Sequence, residues 1–152
     1  MKLLPLQRES IQPRIDGIQY NFSFLKHVST LTLNEFSKPE ILDRVHHHLR
    51  LALEGIFNIT SHILSRIPGG RETEYKRMAK KLGELGIIDQ SFANTQLVNM
   101  AGYRNRLTHF YATISSEELY NIVTHHLSDI ETFLKFIKKV LDHPSKFQLK
   151  VD

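Results

Sequence analysis

Apolar residues recur at spacings of three and four along nearly the whole chain, the period of a helical stripe, and no stretch alternates as a strand would. From Ile11 the stripe continues through Ile15, Ile18, Phe22, Leu25 and Val28, one amphipathic helix. Ser37 ahead of Lys38 and Pro39 reads as an N-cap with proline in the first turn, where its missing N–H has no intrahelical partner to lose. The helix it opens is expected to run to about Arg66, with Val45, Leu49, Leu53, Ile56, Ile59 and Ile63 inward, until Pro68-Gly69-Gly70 breaks the pattern. A shorter helix is predicted from Thr73 to Leu85, stopped by Gly86, a residue that accepts the left-handed backbone of a helix terminus. Asp89 is a good cap for the next helix, whose stripe is Phe92, Leu97, Met100, Leu107 and Phe110. Ser115 followed three residues later by Glu118 has the form of a capping box and opens a last helix reaching Leu141. With short connections, this pattern predicts an all-α fold: an antiparallel up-down bundle of four long helices plus one short one. The expectation is a single domain over residues 1–152, with its core in about 10–142 and a loose tail from 143 to 152. The last helix keeps apolar residues on more than one side, so part of it is expected to face a second copy of the chain.

Composition narrows the chemistry more than the fold. The chain of 152 residues has no cysteine, which removes disulfides, thiol nucleophiles and Cys-ligated zinc together. Twenty Lys and Arg against 16 acids give a formal charge of +4, compatible with a polyanionic partner but no argument for one. Gln7, Arg8 and Glu9 follow the short apolar start at once, which leaves no room for a signal-peptide core. No apolar run approaches the ~20 residues that cross a bilayer. A cytoplasmic protein without a membrane partner is expected.

Nine histidines invite a metal reading. His46-His47-His48 lies inside the second helix, where successive side chains diverge by about 100° and cannot converge on one ion. Helical zinc ligands use i, i+4 spacing, and position 50 is Arg while 51 and 52 are apolar, so no such partner follows; the adjacent His125 and His126 diverge in the same way. His62 sits near the end of the second helix, where a cation would suit the helix dipole. No metal and no cofactor is expected.

The informative segment is Tyr103-Arg104-Asn105-Arg106-Leu107-Thr108-His109-Phe110-Tyr111. It gathers two guanidiniums, an amide, an imidazole and two phenols where one helix runs out before the Ser115 cap. Its plainest account is structural, with Leu107 and Phe110 in the core and Arg106 solvated. Its functional account is phosphate chemistry. Metal-free RNA cleavage needs a group to take the 2′-hydroxyl proton, a group to protonate the leaving oxygen, and a cation on the phosphorane. Histidine serves as acid or base near neutral pH, and arginine is a fixed two-pronged phosphate donor. Arg104 and His109 are five apart, about 140° around an ideal helix, so a long side chain or a loosened last turn must bring them together. One histidine is thin for two proton transfers. A two-fold dimer with two copies of the segment across a cleft would supply both.

At these residues the sequence resembles the HepT-like toxins of the HEPN superfamily, whose motif is Arg, four residues, His, any residue, Tyr. Here the motif is Arg104, His109 and Tyr111, with the matching Asn105 directly after the arginine. Tyr75, Leu82 and Leu85-Gly86-Ile87-Ile88 resemble that family's linker helix and turn, and Ile114-Ser115 with Glu118-Leu119-Tyr120 its last-helix start. Thr108 departs from the more usual aliphatic residue, and the His46–His48 run lies outside the pattern. The resemblance implies an HEPN-like bundle and a metal-independent endoribonuclease, the toxin of a toxin–antitoxin module, cleaving RNA at a homodimer cleft. It implies Arg104 and His109 as the catalytic pair, with Asn105, Arg106 and Tyr111 supporting or binding RNA. It further implies that an MntA-like minimal nucleotidyltransferase antitoxin modifies Tyr111 with AMP. The alternative is a non-catalytic HEPN-like module that binds nucleotides or such a partner, since gripping a phosphate and cleaving beside it use the same donors. A plain structural bundle is the third reading.

Overall fold

The computed structural model describes residues 4–109 and 114–152, and among these the regular elements are helices, with one isolated bridge between Leu6 and Val151. In chain order they are α1 (Arg8–Val28), α2 (Leu33–Phe36), α3 (Pro39–Ser65), α4 (Tyr75–Glu84), α5 (Gln90–Phe92), a π turn (Ala93–Leu97), α6 (Val98–His109), α7 (Ser116–His125), α8 (Leu127–Asp142) and a 3₁₀ turn (Pro144–Phe147).

The scaffold is the antiparallel pair α1 and α3. The α1 start meets the α3 end where Gln7 N–H donates to His62 Nε2 at 3.1 Å. Midway, Gly55 lies against Ile18, so closely that a β-carbon there would come within 2.8 Å of Ile18 Cγ1. Near the other end, His48 Nδ1 lies 2.8 Å from Asn21 Oδ1 and its ring stacks on Phe24. Leu49, Leu53, Ile56, Phe57, Ile59 and Ile63 of α3 are all buried, the apolar face its spacing predicts. On α1, Ile11, Ile18, Leu25 and Val28 are buried, while Ile15 and Phe22 of the predicted stripe are only half-buried beside α8.

A second antiparallel pair, α4 with the π turn and α6, lies across α3. Phe57 packs edge-on to Tyr75, Lys76 lies over Gly102, and Gly83 touches Ala93. Gly86, at φ +72°, ends α4 as expected. Its N–H bonds Gly83 C=O at 3.1 Å and Ile87 N–H reaches back to Leu82 C=O at 3.0 Å, the paired bonds of a Schellman cap. Asp89 accepts from Phe92 N–H and Ser115 from Glu118 N–H, so both predicted caps are made.

Four expectations change. Ser37 closes α2 instead of capping α3, whose N-cap is Lys38 without a side-chain bond. The last predicted helix is two, parted at His126, whose backbone (φ −123°, ψ 6°) leaves the helical region. The tail is tied down: Leu149 is buried, Leu6 N–H donates to Lys150 C=O at 2.8 Å, and Asp152 N–H to Leu6 C=O at 3.1 Å. His62 is no terminal cation. Its Nε2 accepts a backbone N–H, which requires the neutral ring, and burial first and then Arg66 and Arg14 push its pKa below the ordinary 6.5. No helix among the described residues is long and apolar enough to cross a membrane.

Candidate active site

The predicted site residues sit on α6, an element with few apolar anchors. Met100, Ala101 and Leu107 fix its buried side and leave Tyr103 to Arg106 half-buried along the rest. The helix is continuous from Val98 to His109, so its last turn does not loosen, and Arg104 and His109 leave it about 140° apart. The exposed His109 is the last described residue before Ile114. Phe110 and Tyr111 lie outside the described residues.

Arg104 is held by α4. Its guanidinium carbon stands 4.2 Å from the centre of the Tyr75 ring, a cation–π contact that leaves the guanidinium edge for other partners. One terminal nitrogen makes a long 3.5 Å bond to Asn105 Oδ1. Its Nε is buried and has no hydrogen-bond partner among the described residues, and the same holds for Thr108 Oγ1 one turn on. A buried donor of this kind costs free energy unless something satisfies it.

Arg106 is positioned differently. Its two terminal nitrogens reach the two oxygens of Glu118 at 2.6 and 2.8 Å, a bidentate pair that braces α6 against the start of α7. The hydrogen bond from Arg106 holds the Glu118 carboxyl below its ordinary range, and the same bond raises Arg106. The capping box is therefore half-used: Ser115 caps Glu118 N–H, but the Glu118 carboxylate is spent on α6. The expectation of Arg106 as an RNA contact meets a guanidinium fork already facing a carboxylate. Neither Tyr75 as the platform for Arg104 nor Glu118 as the partner of Arg106 stood out in the sequence. Glu118 lies 12 residues from Arg106, beyond the spacings at which helical residues meet.

The histidine run serves packing. His48 rests between Phe24 and Asn21, His47 faces outward, and burial pushes the pKa of His46 and His48 down. Among the described residues, no three of His, Asp and Glu gather closely enough to hold a metal ion.

Residues 18–137 match the family model described as "Ribonuclease HepT-like". A curated relative, the "tRNA nuclease HepT" of Aphanizomenon flos-aquae (strain 2012/KM1/D3), is 24% identical over 135 residues, covering 86% of this chain and 89% of the relative. A solved structure described as a toxin–antitoxin with AMP-PNP superposes with a TM-score of 0.77 at 23% identity, over 86% of this chain and 98% of that one. The structural likeness supports the all-α, HEPN-like bundle, and the match over most of the sequence places the chain in the HepT-like ribonuclease family.

Proposed function

We propose that this chain is the toxin of a toxin–antitoxin module, a metal-independent endoribonuclease that works at a cleft between two copies of itself. Family membership supports the ribonuclease reading, and the relative named a tRNA nuclease makes tRNA the first substrate to test. The observation that carries the cleft is the unbroken α6. Within one copy Arg104 and His109 diverge, whereas a two-fold axis beside the helix lets Arg104 of one copy serve the phosphate next to His109 of the other. His109 takes the 2′-hydroxyl proton, the 2′ oxygen attacks the adjacent phosphorus, and the imidazolium so formed on His109 gives that proton to the departing 5′ oxygen, so each site uses one Arg104 and one His109. Arg104, steadied on Tyr75, turns its guanidinium edge toward the charge building on the phosphorane. Asn105, bonded to Arg104, orients it or the RNA.

Cleavage of RNA in EDTA by the wild type, by Arg104→Ala, by His109→Ala and by a refolded mixture of the two variants tests this reading. Each variant alone should lose on the order of 100-fold or more. The mixture should regain about a quarter of wild-type activity, because half the dimers are mixed and each holds one intact composite site. A mixture as inactive as its parts, or a wild type that needs a divalent ion, would overturn the proposal.

The partner in this reading is an MntA-like nucleotidyltransferase. The Tyr111 phenol oxygen takes an adenylyl group from ATP, loses its proton and releases pyrophosphate. The added phosphate carries negative charge beside the cleft and repels the RNA backbone. Mass spectrometry of the wild type and Tyr111→Phe after reaction with partner and ATP tests it. Added AMP on the wild type alone is expected, and the same addition on the variant would remove Tyr111 as the site.

A further inference from the structure

A cavity of about 240 Å³ opens where the π turn and the start of α6 face the α7–α8 junction. Its floor is aliphatic and buried, with Leu49, Leu53, Met100, Ile122, Leu127 and Ile130. Its mouth is polar. Gln96 and Asn99 stand one helical turn apart on one side, and His126 faces them, its Nδ1 3.5 Å from Asp129. Tyr103, one turn beyond Asn99, forms the end wall.

Three features point to one class of ligand. The volume is below the ~300–1,000 Å³ of pockets that enclose drug-sized molecules, so the occupant is a single small ring system. An apolar floor with two carboxamides at the rim suits a flat heterocycle whose edge offers a donor beside an acceptor, the pairing by which Asn and Gln read bases. Thr95 Oγ1 gives its one proton to Ser91 C=O at 2.7 Å, so the neighbouring Gln96 carboxamide is not fixed by it, and either its oxygen or its N–H₂ can face the cavity. Asn99 and Tyr103 also line a smaller cavity of about 180 Å³ with Lys76 and Gly102. Lys76 crosses over Gly102 there, its Cε 3.6 Å from where a β-carbon would sit. The ammonium thus stands beside the base-sized cavity, where the phosphate attached to a bound nucleoside would lie. Arg106 lines the same small cavity, but its fork faces Glu118. The two cavities meet at Tyr103, next in sequence to Arg104. The π turn that presents Gln96 is itself an irregularity found most often at functional sites.

We infer that this pair of cavities is a nucleotide subsite: the base enters between Gln96, Asn99 and Tyr103, and its phosphate rests on Lys76. The inference rests on the ribonuclease reading, under which the nucleotide is one unit of single-stranded RNA and the subsite sets which base lies beside the cleaved bond.

The four ribonucleoside 5′-monophosphates are titrated into the full-length wild type, Asn99→Leu, Gln96→Leu, Lys76→Ala and the remote surface control Lys138→Ala. Oligoribonucleotides differing at one base are cleaved in parallel. Asn99 and Lys76 are exposed and Gln96 half-buried, and coincident thermal melts check that each variant is folded. One or two nucleotides should bind about tenfold more tightly than the others. Asn99→Leu and Gln96→Leu should erase that preference, Lys76→Ala should weaken all four about equally, and Lys138→Ala should change nothing. The preferred nucleotide should also be the base preferred in RNA. Equal binding of all four, or a preference unchanged in Asn99→Leu, overturns the subsite. Nucleotide selectivity with no effect on the base cleaved makes it a site for free nucleotides and overturns its RNA role. Selective binding by a wild type that cleaves no RNA leaves the subsite standing and removes the ribonuclease reading instead. Cleavage without any nucleotide selectivity does the reverse.

Discussion

The α1–α3 pair and the α6 segment are built from the same kind of helix but settle most of their buried polar groups differently. In the pair, the two buried polar side chains find partners inside the fold. Thr60 donates to Ile56 C=O at 2.9 Å, and Asn21 donates to Gly17 C=O at 2.8 Å while its oxygen faces His48. On α6, Arg104 Nε and Thr108 Oγ1 are buried without partners among the described residues, and Arg106 reaches across to Glu118 on another helix. Bonding its fully buried polar side chains internally suits a scaffold, because an unmade bond there costs stability with no return. An open account on one short helix is tolerable where a ligand or a second chain completes it. The difference separates what holds this molecule together from what it presents.

Cutting each region at its centre should separate the two properties most widely. Phe57 is buried on α3, against Tyr75 of α4, and Phe57→Ala should lower unfolding free energy by about 3–5 kcal/mol, read from urea melts. His109 is exposed, and His109→Ala should move the same melts by no more than about 0.5 kcal/mol while removing RNA cleavage. A large stability loss at His109 would make it a scaffold residue and erase the contrast.

Acidification should weaken the scaffold before it touches the brace at α6. His62, His46 and His48 all have pKa values held below 6.5 by burial, so the unfolded chain binds more protons than the folded one between their lowered values and 6.5. Stability is therefore full above about pH 6.5 and declines as pH falls through that window. Glu118 is also lowered, by its bond to Arg106, but its contribution is present above the ordinary carboxylate value of 4.5 and is lost only as pH falls below it. His62→Gln keeps an acceptor for Gln7 N–H without a titrating ring, and should flatten part of the histidine decline while leaving the Glu118 region unchanged. An unaltered slope in His62→Gln would show that His62 is not among the groups responsible.

The scaffold was far more legible in the sequence than the site, for physical reasons. α3 keeps its 3.6-residue stripe over 27 residues, and Gly86, Asp89 and Ser115 satisfy helix ends by local bonds, which local sequence can encode. The short α2 also carried a readable signal in Thr32 and Glu35, whose side chains bond each other across the cap. The break at His126 carried none, because Ile122, Val123, Leu127 and Ile130 keep helical spacing straight through it. At the site, the motif named the residues of α6 but not their partners. Tyr75 and Glu118 reach Arg104 and Arg106 only through tertiary packing, and the cavity beside Tyr103 is made by elements up to about 80 positions apart in the chain, from Leu49 to Ile130.

The smallest effect gives the sharpest test of the contrast, at Thr108. Its hydroxyl is buried one turn beyond Arg104, with no partner among the described residues. Were α6 a scaffold helix, Thr108→Val would remove an unmet polar group at nearly constant shape and should stabilise the chain by up to about 1 kcal/mol. If the hydroxyl is instead completed when two copies meet, the same change should stabilise the dilute monomer while weakening self-association and cleavage by a few-fold. Melts and cleavage rates measured across a protein dilution series distinguish the two. Stabilisation at every concentration with unchanged cleavage would place Thr108 with the scaffold, whereas stabilisation that shrinks or reverses as the chain associates would place it at the cleft.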